Sequence, residues 1–232
     1  MARVSLYDTA RDVVRSVYDA RIHTPSVLDT DRFFPNARMF AAKWRDIRDE
    51  ALAVKQNLAR VPRFHDIMRE QADISANDGR DWRMFIMRAY GRDVPENRSR
   101  CPVVSALLDQ SPDVVSAVFS FLAPRKHVPK HRGPFRGILR FHLMLTMPRA
   151  ADGGVAAILE IDGEPYPLED GQCLLWDDTY PHEVRNNSDE VRAALLLDVW
   201  RPEMPYDMEL LSRAISGAVQ IGMRLRGVSY SA

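Results

Sequence analysis

Apolar residues recur with a helical period in the first part of the chain, with a strand period in the middle, and with a helical period again at the end. Between Arg38 and Arg60, the residues Phe40, Trp44, Ile47, Ala51, Val54 and Leu58 follow at intervals of four, three, four, three and four, which draws one apolar stripe along a helix. Val4, Tyr7, Val14 and Val17 sketch an earlier amphipathic helix, and Pro25, Pro35 and Pro62 punctuate this region. From about Trp82 the segments shorten. WRMFIMRAY, VVSAVFSFL, GILRFHLML, AAILEIDG, CLLWDD and RAALLLDVW are rich in β-branched or aromatic residues and bounded by Gly, Pro, Asn or Asp, the pattern of short strands joined by turns. After Pro205, MELLSRAISGAVQIGMRLR returns to helical spacing.

These periods predict a mainly β protein, a sandwich or barrel, with helices covering one sheet face because an isolated helical half would bury too little surface alone. The expected organisation is one structural unit: a helical part over 1–80, a β-core over 81–205, and a helix with a tail over 206–232. No repeat, low-complexity tract or long linker interrupts it.

Composition narrows the function classes. The 232 residues are 46% hydrophobic and 28% charged, as in an ordinary globular protein. Lysine plus arginine equals aspartate plus glutamate at 32 each, so no global field favours nucleic acid or an anionic membrane. Cys101 and Cys173 make neither a disulfide framework nor a metal-type CxxC spacing, and read as buried thiols. No stretch approaches the ~20 apolar residues of a membrane span, and the N-terminus lacks the uninterrupted apolar region of a signal peptide. The expectation is a cytoplasmic, reduced protein.

Four of the six histidines, His127, His131, His142 and His182, fall in the β-region. In GILRFHLML, strand alternation puts Arg140, His142 and Met144 on one face and Leu139, Phe141, Leu143 and Leu145 on the other. That polar wall either faces solvent or lines an internal cavity. In DDTYPHEVRNNSDEVRAALLLDVW, Arg192 sits in a strand of alanines, leucines and valines, where a guanidinium needs an anion. A metal-binding histidine followed by such an arginine suits a chelating cosubstrate with a distal carboxylate. Asp177 and Asp178 read as turn chemistry with structural roles.

HVPKHRGPFRGILRFHLML together with DGEPYPLEDGQCLLWDDTYPHEVRNNSDEVRAALLLDVWRPE resembles the aspartyl/asparaginyl β-hydroxylase family of Fe(II)- and 2-oxoglutarate-dependent oxygenases, over about Trp82 to Pro205. The resemblance implies a double-stranded β-helix (a cupin-like jelly roll) and a 2-oxoglutarate-dependent dioxygenase with Fe(II) as metal and 2-oxoglutarate as cosubstrate. It implies that His131 and His182 are the iron ligands. Ser120 would help hold 2-oxoglutarate, and Arg192 would pair with its distal carboxylate. His142 would lie near its metal-side carboxylate, and Arg140 would serve that carboxylate or an anionic substrate group. Gly133 stands where many ferrous oxygenases place the carboxylate of a two-histidine, one-carboxylate triad. Peptide-hydroxylating members also carry glycine there, whereas lipid-hydroxylating relatives tend to have aspartate.

The resemblance divides on substrate. Ile138 replaces an arginine with which peptide-hydroxylating members grip their substrate, and HRGPFRGILRFHL and DGEPYPLEDG are closer to the lipid type. DDTYPHEV and DVWRPE are closer to the peptide type. Hydroxylation at the β carbon of an aspartyl or asparaginyl residue, or of a related amino acid, leads; hydroxylation of a lipid acyl chain is the alternative, and a cupin-like binding module without turnover is the other class. Arg132 and Arg136 either rim the substrate site or are solvated surface. The C-terminal residues Leu210, Leu211, Ile215, Val219 and Met223, with Arg213, Arg224 and Arg226 nearby, form an ordinary docking face, or a peripheral membrane contact if the substrate is a lipid. The oligomeric state is not encoded in any of these features.

Overall fold

The computed structural model describes residues 6–225. The helical part comprises α1 (Leu6–Asp19), the two-residue β1 (Val27–Leu28), α2 (Thr30–Phe33), α3 (Ala37–Ala42), α4 (Trp44–Lys55) and α5 (Phe64–Ile67), with 3-10 turns at Leu58–Arg60 and Arg69–Ile74. The predicted continuous helix over the apolar stripe is three pieces: Lys43, at φ −103° and ψ 14°, separates α3 from α4, and Asn57, at φ −117° and ψ 38°, separates α4 from the 3-10 turn at Leu58–Arg60. The stripe survives the break: Phe40, Ile47, Ala51 and Val54 are buried in one core, with Trp44 and Leu58 against it.

The middle of the chain gives β2 (Trp82–Ala89), β3 (Arg92–Asp93), α6 (Pro95–Ser99), α7 (Pro102–Asp109), β4 (Val114–Leu122), β5 (His127–His131), β6 (Ile138–Thr146), β7 (Ala157–Ile161), β8 (Glu164–Tyr166), β9 (Cys173–Trp176), β10 (His182–Asn186) and β11 (Arg192–Trp200). The helices α6 and α7, each opened by a proline at its first turn where no donor is lost, interrupt a region that strand periodicity alone had covered. The β7–β8 hairpin turns on Asp162 and Gly163, both at positive φ, as a two-residue type I′ connection requires.

The strands form two antiparallel sheets, seven-stranded in the order β1-β9-β6-β11-β4-β2-β3 and four-stranded in the order β5-β10-β7-β8. Mainly β architecture with flanking helices is thus as the sequence predicts. In the large sheet the two faces separate cleanly. Leu139, Phe141, Leu143 and Leu145 of β6 join Phe119, Phe121, Leu195 and Leu197 in the core beneath α3, α4 and α7. At roughly 1.5–3 kcal/mol per fully buried side chain, this layer is the main source of stability. The alternate residues, Ser120, Arg140, His142, Met144 and Arg192, point to the other face, toward the small sheet.

After β11, α8 (Tyr206–Leu225) packs back with Met208 and Ser212 buried and Leu211 and Ile215 against the same cluster as Tyr18 and Phe135. The docking face is therefore centred on Met208 and Ser212, and Leu210, placed on it by sequence, is 49% exposed. Val4 and Arg226 lie outside the described residues, as do the side chains of Tyr7, Met223 and Arg224. No helix among the described residues is long and apolar enough to cross a membrane.

Candidate functional site

His131 ends β5 and His182 begins β10, and the antiparallel register sets them directly opposite each other on the small sheet. Their rings lie 4.1 Å apart, centroid to centroid. His131 Nδ1 donates to the Pro129 carbonyl at 2.8 Å, and His182 Nδ1 donates to the Tyr180 carbonyl at 2.9 Å. A carbonyl only accepts, so both imidazoles carry the proton on Nδ1 and leave Nε2 bare, the arrangement of metal-binding histidines. Burial lowers the pKa of both below the ordinary histidine value, which keeps them neutral. Among the described residues, no third His, Cys, Asp or Glu joins them in a metal-binding group.

Facing them, the large sheet contributes Ser120 from β4, Arg140 and His142 from β6, and Arg192 from β11, and these line one cavity together with His131, His182 and Trp176. Arg192 is 3% exposed, and among the described residues its guanidinium makes one hydrogen bond, from Nη2 to Met144 Sδ at 3.3 Å, while Nε has none. Burial alone pulls its pKa down to about 10. His142 Nδ1 is also buried without a hydrogen bond, and burial followed by the Arg192 charge pushes the ring well below its ordinary value. Ser120 Oγ accepts from the Trp82 indole at 2.9 Å. All six residues singled out as metal or cosubstrate ligands thus meet in one place.

Arg140 is held differently from the other cation. Its Nε donates to Asp198 at 2.9 Å and Nη1 pairs with Asp178 at 3.1 Å. Asp178, expected to be a turn residue, is 2% exposed and lies beside Gly133, and burial raises its pKa to about 6 against the pull of Arg140. A Cβ placed on Gly133 would fall on the Asp178 carboxyl group, far inside contact distance, and the Gly133 amide donates to the Asp178 carbonyl at 2.6 Å. Asp178 and Asp198 are the site residues that sequence reasoning missed. For Asp198 the only signal was a carboxylate inside the apolar strand RAALLLDVW; Asp178 lies in the turn after β9, as expected, and its burial there left no local mark.

Arg132 and Arg136 turn away from this cavity. Arg132 Nε donates to the Thr179 carbonyl, and Arg136 is buried, donating to Asp177 at 2.8 Å and to the Ile22 carbonyl at 2.8 Å. Asp177 also pairs with Arg201 at 2.5 Å, so this is a clamp that ties the Gly133 loop to the N-terminal helices. His127 bonds Glu183 at 2.7 Å and does not line the cavity.

A second, larger pocket opens beside the first and shares Trp82, His131, Arg140 and Leu196 with it. Gly133, Asp178 and Asp198 stand at its polar end. Phe64, Ile67 and Met68 from the helical part and Met84, Ile86 and Val118 from the large sheet make the rest mostly apolar. Its two cations among the described residues are both engaged, Arg140 as above and Arg88 with Asp93 at 2.6 Å.

Comparison with known proteins decides the family. The sequence profile of the aspartyl/asparaginyl β-hydroxylases matches residues 41–202. The chain belongs to the aspartyl/asparaginyl β-hydroxylase family. An ornithine lipid ester-linked acyl 2-hydroxylase of Rhizobium tropici is 33% identical over 183 residues, covering 79% of this chain and 63% of that protein. The human aspartyl/asparaginyl beta-hydroxylase is 29% identical over 169 residues, 69% of this chain and 20% of that protein. This chain therefore spans less than two thirds of either relative. The cupin domain of an XRE-family transcriptional regulator from Enterobacter cloacae overlaps 37% of the chain and 80% of that domain, with 19% identity and a TM-score of 0.31. Membership of a hydroxylase family, established over residues 41–202, takes in every residue of the two cavities.

Proposed function

We propose that the protein is an Fe(II)- and 2-oxoglutarate-dependent dioxygenase that hydroxylates an unactivated carbon of an acyl chain. The observation that carries the cosubstrate is Arg192, a buried cation with no anion beside it among the described residues. Such a charge is costly unless a ligand neutralises it, and a dicarboxylate with one end on Arg192 and Ser120 fits. The unpartnered His142 Nδ1 fits a donor or acceptor of that ligand at its other end. His131 and His182, neutral with Nε2 free, fit a ferrous ion. When bound, iron, 2-oxoglutarate and dioxygen supply the oxidant that places one oxygen atom on the substrate carbon.

The chain's own residues bind and orient. The carbonyls of Pro129 and Tyr180 fix the two imidazoles. Arg192 and Ser120 set the direction of the cosubstrate, and Trp176, whose ring meets His182 edge-on at 4.6 Å, walls the cavity and limits water. Asp178 and Asp198 keep Arg140 pointed at the junction of the two pockets.

The apolar pocket favours an acyl chain over an aspartyl side chain. A substrate carboxylate buried there needs a cation, and both Arg88 and Arg140 are already neutralised, with Ile138 in the position of the expected gripping arginine. The name of the Rhizobium tropici relative is consistent with this choice. Anaerobic Fe(II) plus 2-oxoglutarate should give a weak visible charge-transfer band that His182→Ala abolishes; absence of both the band and succinate formation sinks the enzyme reading. Mass spectrometry of lipids and peptides from cells with and without the protein tests the substrate. A gain of one oxygen confined to peptides would exclude the acyl chain.

A further inference from the structure

Among the described residues the exposed large apolar side chains are Val13, Val17, Tyr206, Leu210 and Ile221, between 43% and 74% exposed, and all of them lie on α1 and α8. The two helices pack antiparallel. Tyr18 Oη meets Ser212 Oγ at 2.7 Å, and Arg21, one turn later in the chain, grips Asp207, more than one turn earlier in α8, with two bonds of 3.0 and 3.2 Å. Val13, Val17 and Arg21 follow at intervals of four and share one side of α1 and its last turn. Asp207, Leu210, Ala214 and Ile221, at intervals of three, four and seven, share one side of α8. The Arg21–Asp207 pair joins these two sides, so both apolar lines look out from the same face of the helix pair. The inner face, with Val14, Tyr18, Met208, Leu211 and Ile215, packs around Phe135 and Ile138. Helix α8 is thus apolar twice over: its outer line of Leu210, Ala214, Gly217 and Ile221 carries no charge, where a helix covering a core ordinarily turns polar residues outward. A Cβ on Gly217 would meet nothing within 4 Å.

The charges beside this outer line are matched within the chain, Arg21 with Asp207 and Arg213 with Glu209 at 2.7 Å. A face of hydrocarbon with its neighbouring charges already paired gives a protein partner little to recognise, whereas a lipid surface needs no directional contacts. The helix pair also borders the larger pocket. Arg15 Nη2 donates to the Gly133 carbonyl at 3.0 Å, Gln220 Nε2 donates to the Tyr90 carbonyl, and Ile138 lies in the cluster beneath the helices; Gly133, Tyr90 and Ile138 all line that pocket. A surface lying on α1 and α8 is therefore about 10 Å, one helix diameter, from the pocket wall. We propose that the outer face of α1 and α8 rests on a lipid bilayer through Val13, Val17, Tyr206, Leu210 and Ile221, and so holds the larger pocket beside the acyl chains it takes. The purpose of this attachment rests on the acyl-chain reading above; the attachment itself is measured without it.

The test is flotation of the full chain with phosphatidylcholine vesicles, in the absence of metal and 2-oxoglutarate. The parent should float, and equally well at low and high salt and with or without phosphatidylglycerol in the vesicles, because hydrocarbon burial and not charge holds it. Leu210→Asp combined with Ile221→Asp should lower the partition onto vesicles at least about tenfold, and Gly217→Leu, which extends the apolar line into open space, should raise it about three- to tenfold. The double variant should melt within a few degrees of the parent, since both side chains lie outside the core clusters. A parent that stays below the vesicles, or that floats only with phosphatidylglycerol and is released by salt, overturns the proposal. A dimer in sedimentation that the double variant dissociates gives the face to a second copy and overturns it too. A parent that floats as expected while acyl chains gain no oxygen supports the attachment and refutes the acyl reading, so the two failures are distinct.

Discussion

Replacing Arg192 by methionine should make the ligand-free protein more stable while destroying its response to 2-oxoglutarate. The side chain is 3% exposed, touches Met144 Sδ and has no carboxylate beside it among the described residues. Its pKa falls from the ordinary arginine value to about 10 through burial, which corresponds to about 3 kcal/mol against the charged form. At pH 7 the guanidinium is charged in both folded and unfolded chains, so the folded protein bears this cost in full; it shrinks only as pH rises through about 10 and beyond. Methionine fills a similar volume without charge, and a stabilisation of about 1–3 kcal/mol is expected, or about 2–10 °C in a chain of this size. In the parent, 2-oxoglutarate at a hundredfold excess over its dissociation constant should add about 2.7 kcal/mol by mass action, and the variant should gain nothing. Thermal melts with and without Mn(II) and 2-oxoglutarate read both effects: ligand shifts the parent relative to the variant by about 2.7 kcal/mol, which closes or reverses the gap between them. An Arg192→Met protein that melts below the parent without ligand, or that still rises with it, refutes the argument that this cation is held ready for an anion.

Gly133→Asp should fail to restore a third metal ligand and should instead lower thermal stability by several degrees, because the new side chain lands on the Asp178 carboxyl group; combining it with Asp178→Gly should recover most of the loss. Asp177→Asn leaves Arg136 and Arg201 buried without their shared anion and should cost about 3–5 kcal/mol in denaturant unfolding, with the loop before β6 losing protection in hydrogen exchange. Met68→Glu, a half-buried wall residue of the apolar pocket, should leave 2-oxoglutarate affinity unchanged and suppress oxygen transfer to an acyl substrate at least tenfold, measured as product against succinate.

Strand segments were legible where both faces of a strand are covered. VVSAVFSFL and RAALLLDVW are β4 and β11 residue for residue, since an unbroken apolar run flanked by turn residues has few other solutions. The short β5 and β10 were not legible, and they carry the two histidines. HVPKH and HEVRN have mixed polarity because one side faces solvent and the other a polar cavity, so their strand character comes from pairing with each other and with β7. Helices α6 and α7 hid because neither shows a helical period: PENRS is a proline followed by four polar residues and PVVSALLD is apolar on most sides, so the prolines at the helix starts were the only local sign.

Gly133 shows why the site was legible as a list of residues but not as an arrangement. Along the chain, glycine two positions after His131 reads as a missing carboxylate. Across the fold, the space beside that glycine is filled by the carboxyl group of Asp178, brought in by the turn that precedes β10 and tied to Arg140 at 3.1 Å. Glycine is therefore required there by packing, and a side chain at 133 would displace the acid that neutralises Arg140. Among the described residues, neutralising Arg140 in turn leaves Arg192 as the unmatched cation of the cavity, while the larger pocket keeps no spare positive charge for an acidic substrate. On the proposed function, the two carboxylates would therefore decide which arginine is left to receive the cosubstrate, and would leave the neighbouring pocket to an uncharged substrate.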